Sequence, residues 1–148
     1  MKTILVPVDL SAATARVCDA ACAFAKLMNA RLLLLHIVQA PPFMMNDYYA
    51  FDTGAMTEVM AAGRKAAEKK LAALGRRYAK RKIPIRVLQL DGHPATSILN
   101  QAETSKAAYI VIGSHGHGAV FDLLVGSTTH GVLRKARCPV LVVPMTPR

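Results

Sequence analysis

Apolar residues fall along this chain in two alternating rhythms. Short, nearly continuous apolar runs occur at Lys2–Val8 (KTILVPV), Arg31–Val38 (RLLLLHIV), Ile83–Leu90 (IPIRVLQL), Ala107–Ile112 and Pro139–Val143 (PVLVV). Runs of this length, rich in Val, Ile and Leu, predict strands buried on both faces, as in a parallel sheet. Between them the spacing changes to that of helices. Ala12–Asn29 carries Val17, Ala21, Phe24 and Met28 on one face, with Ser11 as the predicted N-cap. Gly54–Lys82 predicts a long basic helix, and Pro94 suits the first turn of a third, whose Ile98, Leu99 and Ala102 point inward. Ser127–Ala136 predicts a short fourth helix. Gln39–Asp52, marked by Pro41-Pro42 and rich in Met and aromatics, is expected to be a loop, folded on its own chain, over a ligand or against a partner.

Strict alternation of strands with helical crossovers predicts a five-stranded parallel sheet covered on both faces. One α/β domain spanning 1–148 is expected, since 148 residues suit a single core. Hydrophobic residues make up 53% against 19% charged, which excludes intrinsic disorder. No apolar run reaches the ~20 residues of a membrane span. The start, MKTILVPVDLS, does not read as a secretory signal, because Pro7 and Asp9 interrupt it. Three cysteines without CxxC pairing predict inert thiols, and a cytoplasmic location follows.

Charge narrows the partners. The net charge is +10, and nine of the 19 Lys and Arg residues lie between Arg64 and Lys82. Such a helix is ordinarily a solvated outer face. It has no recognition-helix pattern and no aromatic–basic interleaving, so no specific nucleic acid partner is expected, only weak, salt-sensitive adhesion to DNA or RNA.

The candidate chemistry lies at GSHGHGAVFDLLVGS, 113–127. In open α/β sheets ligands bind beyond the carboxyl ends of the strands, where the strand order reverses. Asp9 closes the first strand and Gly113 the fourth. Gly126-Ser127-Thr128-Thr129 opens a helix whose first amides lack internal partners, and those amides, the hydroxyls and the helix dipole suit a phosphate. The P-loop signature is absent, and Gly113, Gly116 and Gly118 read GxxGxG after the wrong strand for a dinucleotide fingerprint. The spacing present is Gly113-x2-Gly116-x9-Gly126-Ser127. His115 and His117 lack further ligands of matching spacing, so no metal site is expected. His36 reads as a satisfied core or rim histidine, and neither His93 nor His130 has a visible partner.

In these blocks (ILVPVDLS, LLLLHIV, DGHPATSIL, IVIGSHGHG and VGSTTHGVLRKARCPVLVVP) the chain resembles the ATP-binding branch of the universal stress protein family over nearly its full length. The resemblance implies an adenine-nucleotide α-hydrolase-like sheet of order 3-2-1-4-5. It implies that Pro7, Val8 and Asp9 meet adenine and ribose, with Ile37 closing over the base. Ile112, Gly113, Ser114, His115 and Gly116 would pass beneath ribose and phosphates, and Gly126, Ser127, Thr128 and Thr129 would hold the phosphate chain. ATP is the implied ligand, with any Mg or Mn held mainly by phosphate oxygens and water. A homodimer through strand 139–144 is implied as well. The function expected is a nucleotide-holding stress-response module. The alternatives are a hydrolase or adenylating enzyme of the same fold, or a weak nucleic-acid binder through helix 54–82. Enzymatic signatures (SGGxDS, HIGH, KMSKS) and a paired acid and base are absent, so at most slow ATP hydrolysis is expected.

Overall fold

The computed structural model describes residues 1–39, 53–114 and 125–145. Its elements run β1 (Lys2–Pro7), α1 (Thr14–Met28), β2 (Ala30–Val38), α2 (Thr53–Ala79), β3 (Ile85–Asp91), α3 (Pro94–Thr104), β4 (Tyr109–Gly113), α4 (Ser127–Lys135) and β5 (Val140–Val143). All strand pairs are parallel, as the alternation of elements predicts, in the order β3-β2-β1-β4-β5 that the family resemblance implies. From β1 the chain steps outward through β2 to β3, then returns past β1 to β4. At that reversal β1 and β4 are neighbours, and the helices that follow them, α1 and α4, lie on opposite faces of the sheet, which opens a crevice at the strands' carboxyl ends.

Alternate side chains of each strand feed two cores. On one face Ile4, Val6, Leu32 and Leu34 meet Val17, Cys18 and Ala21 of α1 and Leu71 and Tyr78 of α2. On the other, Leu5, Leu35 and Ile110 meet Ala95 and Ile98 of α3 and Val132 of α4. Cys18 and Cys22 are buried free thiols and Cys138 is a half-buried one. Burial pushes the Cys18 thiol up to about 12.

Several element ends differ from the sequence reading, each for a local reason. Ser11 is not the N-cap of α1; Ala13 is, and Ser11 belongs to a preceding turn that the Asp9 carboxylate organises. β3 begins at Ile85 instead of Ile83, after Pro84, which has no N–H to give a ladder. α2 stops at Ala79, and Lys82 adopts a left-handed φ of 59° where a glycine is more usual. Near that end the buried Tyr78 hydroxyl lies 3.0 Å from the Ala15 carbonyl and 3.1 Å from Asp19 Oδ1. Arg81 reaches the same carboxylate at 2.7 Å and stacks over the Tyr78 ring. This cluster fastens α2 to α1.

Candidate functional site

Asp9 follows β1 and shapes its exit. Its Oδ1 accepts from the Ser11 amide (3.0 Å), the Ser11 hydroxyl (2.7 Å) and the Thr14 hydroxyl (3.1 Å). These bonds hold the turn in which Leu10 takes φ 60°, a left-handed conformation that costs a leucine about 1 kcal/mol or more. The Val8 amide still donates to Leu35 of β2 at 2.8 Å, so the strand ladder runs up to the bend. The Val8 carbonyl accepts from His36 Nδ1 at 2.9 Å, which fixes the imidazole against the same strand end. His36 is thus a rim histidine with a partner, as the sequence suggests.

Across the reversal, the two glycine clusters are fastened to each other. The buried Thr129 hydroxyl donates to the Gly113 carbonyl at 2.8 Å, and the Gly126 amide donates to the Ser114 carbonyl at 2.8 Å. Gly126 is the N-cap of α4, with no side-chain cap and no acidic residue in the first turn. The amides opening α4 therefore lack intrahelical acceptors, and the helix dipole adds positive potential there. Behind this junction the Ser114 hydroxyl accepts from the Met145 amide at 3.2 Å, while Arg16 donates to the Met145 carbonyl at 3.3 Å. The chain after β5 is thereby drawn to the mouth of the site.

Between these walls lies a cavity of about 410 Å³, within the range of small-molecule sites. Of the residues singled out in the sequence, Pro7, Val8, Asp9, Ile37, Ile112, Gly113, Thr128 and Thr129 line it. Ser114, Gly126 and Ser127 sit at its edge by chain position without forming the wall. His115 and Gly116 lie outside the described residues, as do His117, Gly118 and residues 40–52, for which the sequence predicts a loop. The hydroxyls of Ser114 and Thr129, which read as ligand contacts, are engaged by the chain itself. Sequence reasoning missed the far wall: Gly63 and Ala67 of α2, Pro94 and Ile98 of α3, and Met145. Only the Asp9-x-Ser11-x-x-Thr14 spacing carried a local signal for the turn; the wall residues arrive through tertiary packing. Among the described residues no group of three or more His, Cys, Asp or Glu could hold a metal ion.

A parallel sheet of this order, with a glycine-bounded crevice at its reversal point, defines the adenine-nucleotide α-hydrolase-like class. The model of the universal stress protein family matches residues 1–144, and the chain belongs to that family. A Thermus aquaticus universal stress protein, from the 3' region of a QAH/OAS sulfhydrylase, is 34% identical over 143 residues, covering 96% of this chain and 98% of its own. Among solved structures, protein MJ0577 of Methanocaldococcus jannaschii superposes with a TM-score of 0.84 at 24% identity, covering 99% and 98% of the two chains. A universal stress protein solved in complex with cAMP matches at 21% identity and TM-score 0.71, over 98% of each chain. The Archaeoglobus fulgidus protein in complex with dAMP matches at 20% and 0.67, over 97% and 98%.

Proposed function

We propose that this protein holds an adenine nucleotide, ATP, in the crevice between β1 and β4, and serves as a nucleotide-dependent stress-response module of the cytoplasm. The observation that carries the reading is the 410 Å³ cavity, whose wall joins the ends of β1, β2 and β4 to the first turn of α4. Its apolar flank, Val8 and Ile37, suits a base, and Asp9 stands where ribose hydroxyls can donate to it. The uncapped amides of α4 suit the phosphates, with His115 and Gly116 following β4 in the chain. The family relatives solved with cAMP and dAMP support the ligand class. A Mg or Mn ion arriving with ATP is held by phosphate oxygens in this reading. In this reading the protein holds its ligand instead of turning it over: Asp9 Oδ1 is committed to the β1 turn, the rest of that carboxylate faces the ribose, and His36 Nδ1 is engaged by a carbonyl.

Gly126 provides the test. Its φ of −59° and ψ of 154° suit any L residue, so Gly126→Val adds bulk at the phosphate end without backbone strain. Calorimetry with ATP is expected to show binding by the parent protein and a loss of at least tenfold in a folded Gly126→Val variant. Unchanged affinity in that variant overturns the assignment.

A further inference from the structure

We propose that the outward face of α2 is a sequence-independent docking surface for duplex DNA. At 3.6 residues per turn, Lys65, Lys69 and Arg76 fall within about 40° of one another around α2, in a line about 17 Å long, and Lys80 follows in the turn just past the helix end. This line lies opposite Leu71 and Tyr78, which are buried against the sheet, and all four cations are exposed. None of the four takes part in an ion pair among the described residues, whose pairs are Arg64–Asp91, Arg81–Asp19 and Arg137–Glu103. Arg77 and Arg81 point to the flank, where they stack on Tyr78. Between Ala62 and Lys82 the sole acid is Glu68, about a quarter turn off the line. Glu58, two turns before Lys65, shares the azimuth of the row, but from Lys65 onward no ion pair among the described residues offsets these cations, and their complement is a polyanion.

The residues between the cations decide which polyanion. Ala66, Ala72 and Ala73 put no large apolar side chain on this face, so it has nothing to sink into a bilayer. Aromatic rings are missing from it, so single-stranded bases have no stacking platform. Alanines between the cations leave only flexible Lys and Arg side chains standing out from the face, and these can swing aside to groove rims. Such a helix is admitted by the major groove of B-DNA, about 12 Å wide, whereas the major groove of A-form RNA is too narrow. Cations along the helix then reach phosphates on the groove rims. The row carries no Asn or Gln to read adenine and no acid to read cytosine, and its flexible lysines meet phosphates as point charges, so binding tracks the backbone and not the sequence.

The experiment is fluorescence anisotropy of a labelled 20-base-pair mixed-sequence DNA duplex with the full chain, from 50 to 200 mM KCl. Four neutralised phosphates give a slope of log affinity against log salt of about −4. Lys69→Gln/Arg76→Gln is expected to reduce that slope by about 2, because each cation contributes about 1. Lys106→Gln/Lys135→Gln, on the α3 and α4 side of the sheet, is expected to leave it unchanged. The proposal is overturned by absence of binding at 50 mM KCl, by an equal loss of slope in both variants, or by an unchanged slope in the α2 variant. Equal or tighter binding to phosphatidylserine vesicles, to an RNA duplex or to single-stranded DNA overturns it too.

Discussion

A methyl group added at Gly131 separates two accounts of why a glycine sits inside α4. An ideal Cβ there comes 2.9 Å from Ala95 Cβ of α3, closer than two methyl carbons can stand. Ala95 offers no rotamer through which to retreat, so the two helices must part by several tenths of an ångström. Overpacking of this kind costs about 1–3 kcal/mol. Against it, replacing glycine by alanine in a helix interior gains about 1 kcal/mol of propensity. The balance predicts Gly131→Ala to be less stable by about 1 kcal/mol, whereas propensity alone predicts the opposite sign. Equilibrium unfolding in guanidinium reads the difference directly, provided the denaturant slope is unchanged. The pair Ala95→Gly/Gly131→Ala leaves one methyl at the crossing and is expected to be more stable, by about 1–2 kcal/mol, than the summed losses of the single variants. A Gly131→Ala variant more stable than the parent, or strictly additive single effects, refutes the close-approach account.

Three other outcomes follow from the same contacts. Thr129→Val keeps the shape of a buried residue but removes its bond to the Gly113 carbonyl, and is expected to cost about 1–3 kcal/mol; an unchanged unfolding midpoint contradicts this. Burial raises the Cys18 thiol from 9.0 to about 12, and burial followed by the bond to Asp19 raises Tyr78 from 10.0 to about 12. The native state thus favours both protonated forms, so the stability they provide is present below about pH 9 and declines as pH rises towards 12; a flat profile of midpoint against pH from 8 to 11.5 denies it. On β5 the carbonyls of Pro139 and Val143 accept from β4, which turns the Val142 amide toward the open edge. Light scattering is expected to find a dimer that Val142→Pro dissociates, and a monomeric parent removes the basis for pairing through 139–144.

The architecture was legible because parallel strands covered on both faces must be apolar nearly throughout, and LLLLHIV or YIVIG reads that way without tertiary knowledge. The start of α1 was less so. Ser11 has the chemistry of an N-cap, and its hydroxyl does accept from the Ala13 amide at 3.2 Å, but its own amide and hydroxyl proton go to Asp9, so a turn forms there and the helix starts at Thr14. In the crevice, residues at strand ends were legible because topology alone puts Pro7–Asp9 and Ile112–Gly113 together. Gly63, Ala67 and Met145 were not, since nothing near them in the chain says what they will face. Gly131 was overlooked for the same reason, as its partner Ala95 lies 36 residues away.

Hydroxyls were the least legible feature, and their placement bears on how the site can be tested. A threonine or serine beside a glycine cluster reads equally as a ligand contact or as a brace for the backbone. Here Thr129, Ser114 and Ser11 all bond to the chain, so the surfaces left for a nucleotide are main-chain amides, apolar walls, the flank of Asp9 and the side chain of Thr128. A site framed in this way links affinity to local stability. Removing Thr129 or Asp9 loosens the frame and lowers both together, and a weakened Asp9→Ala variant does not by itself show that Asp9 touches the ligand. Gly126→Val acts differently, because it adds volume where the backbone already suits any residue. Loss of affinity at constant stability in that variant, set beside paired losses in Thr129→Val, distinguishes the surface that meets the nucleotide from the bonds that hold the surface in place.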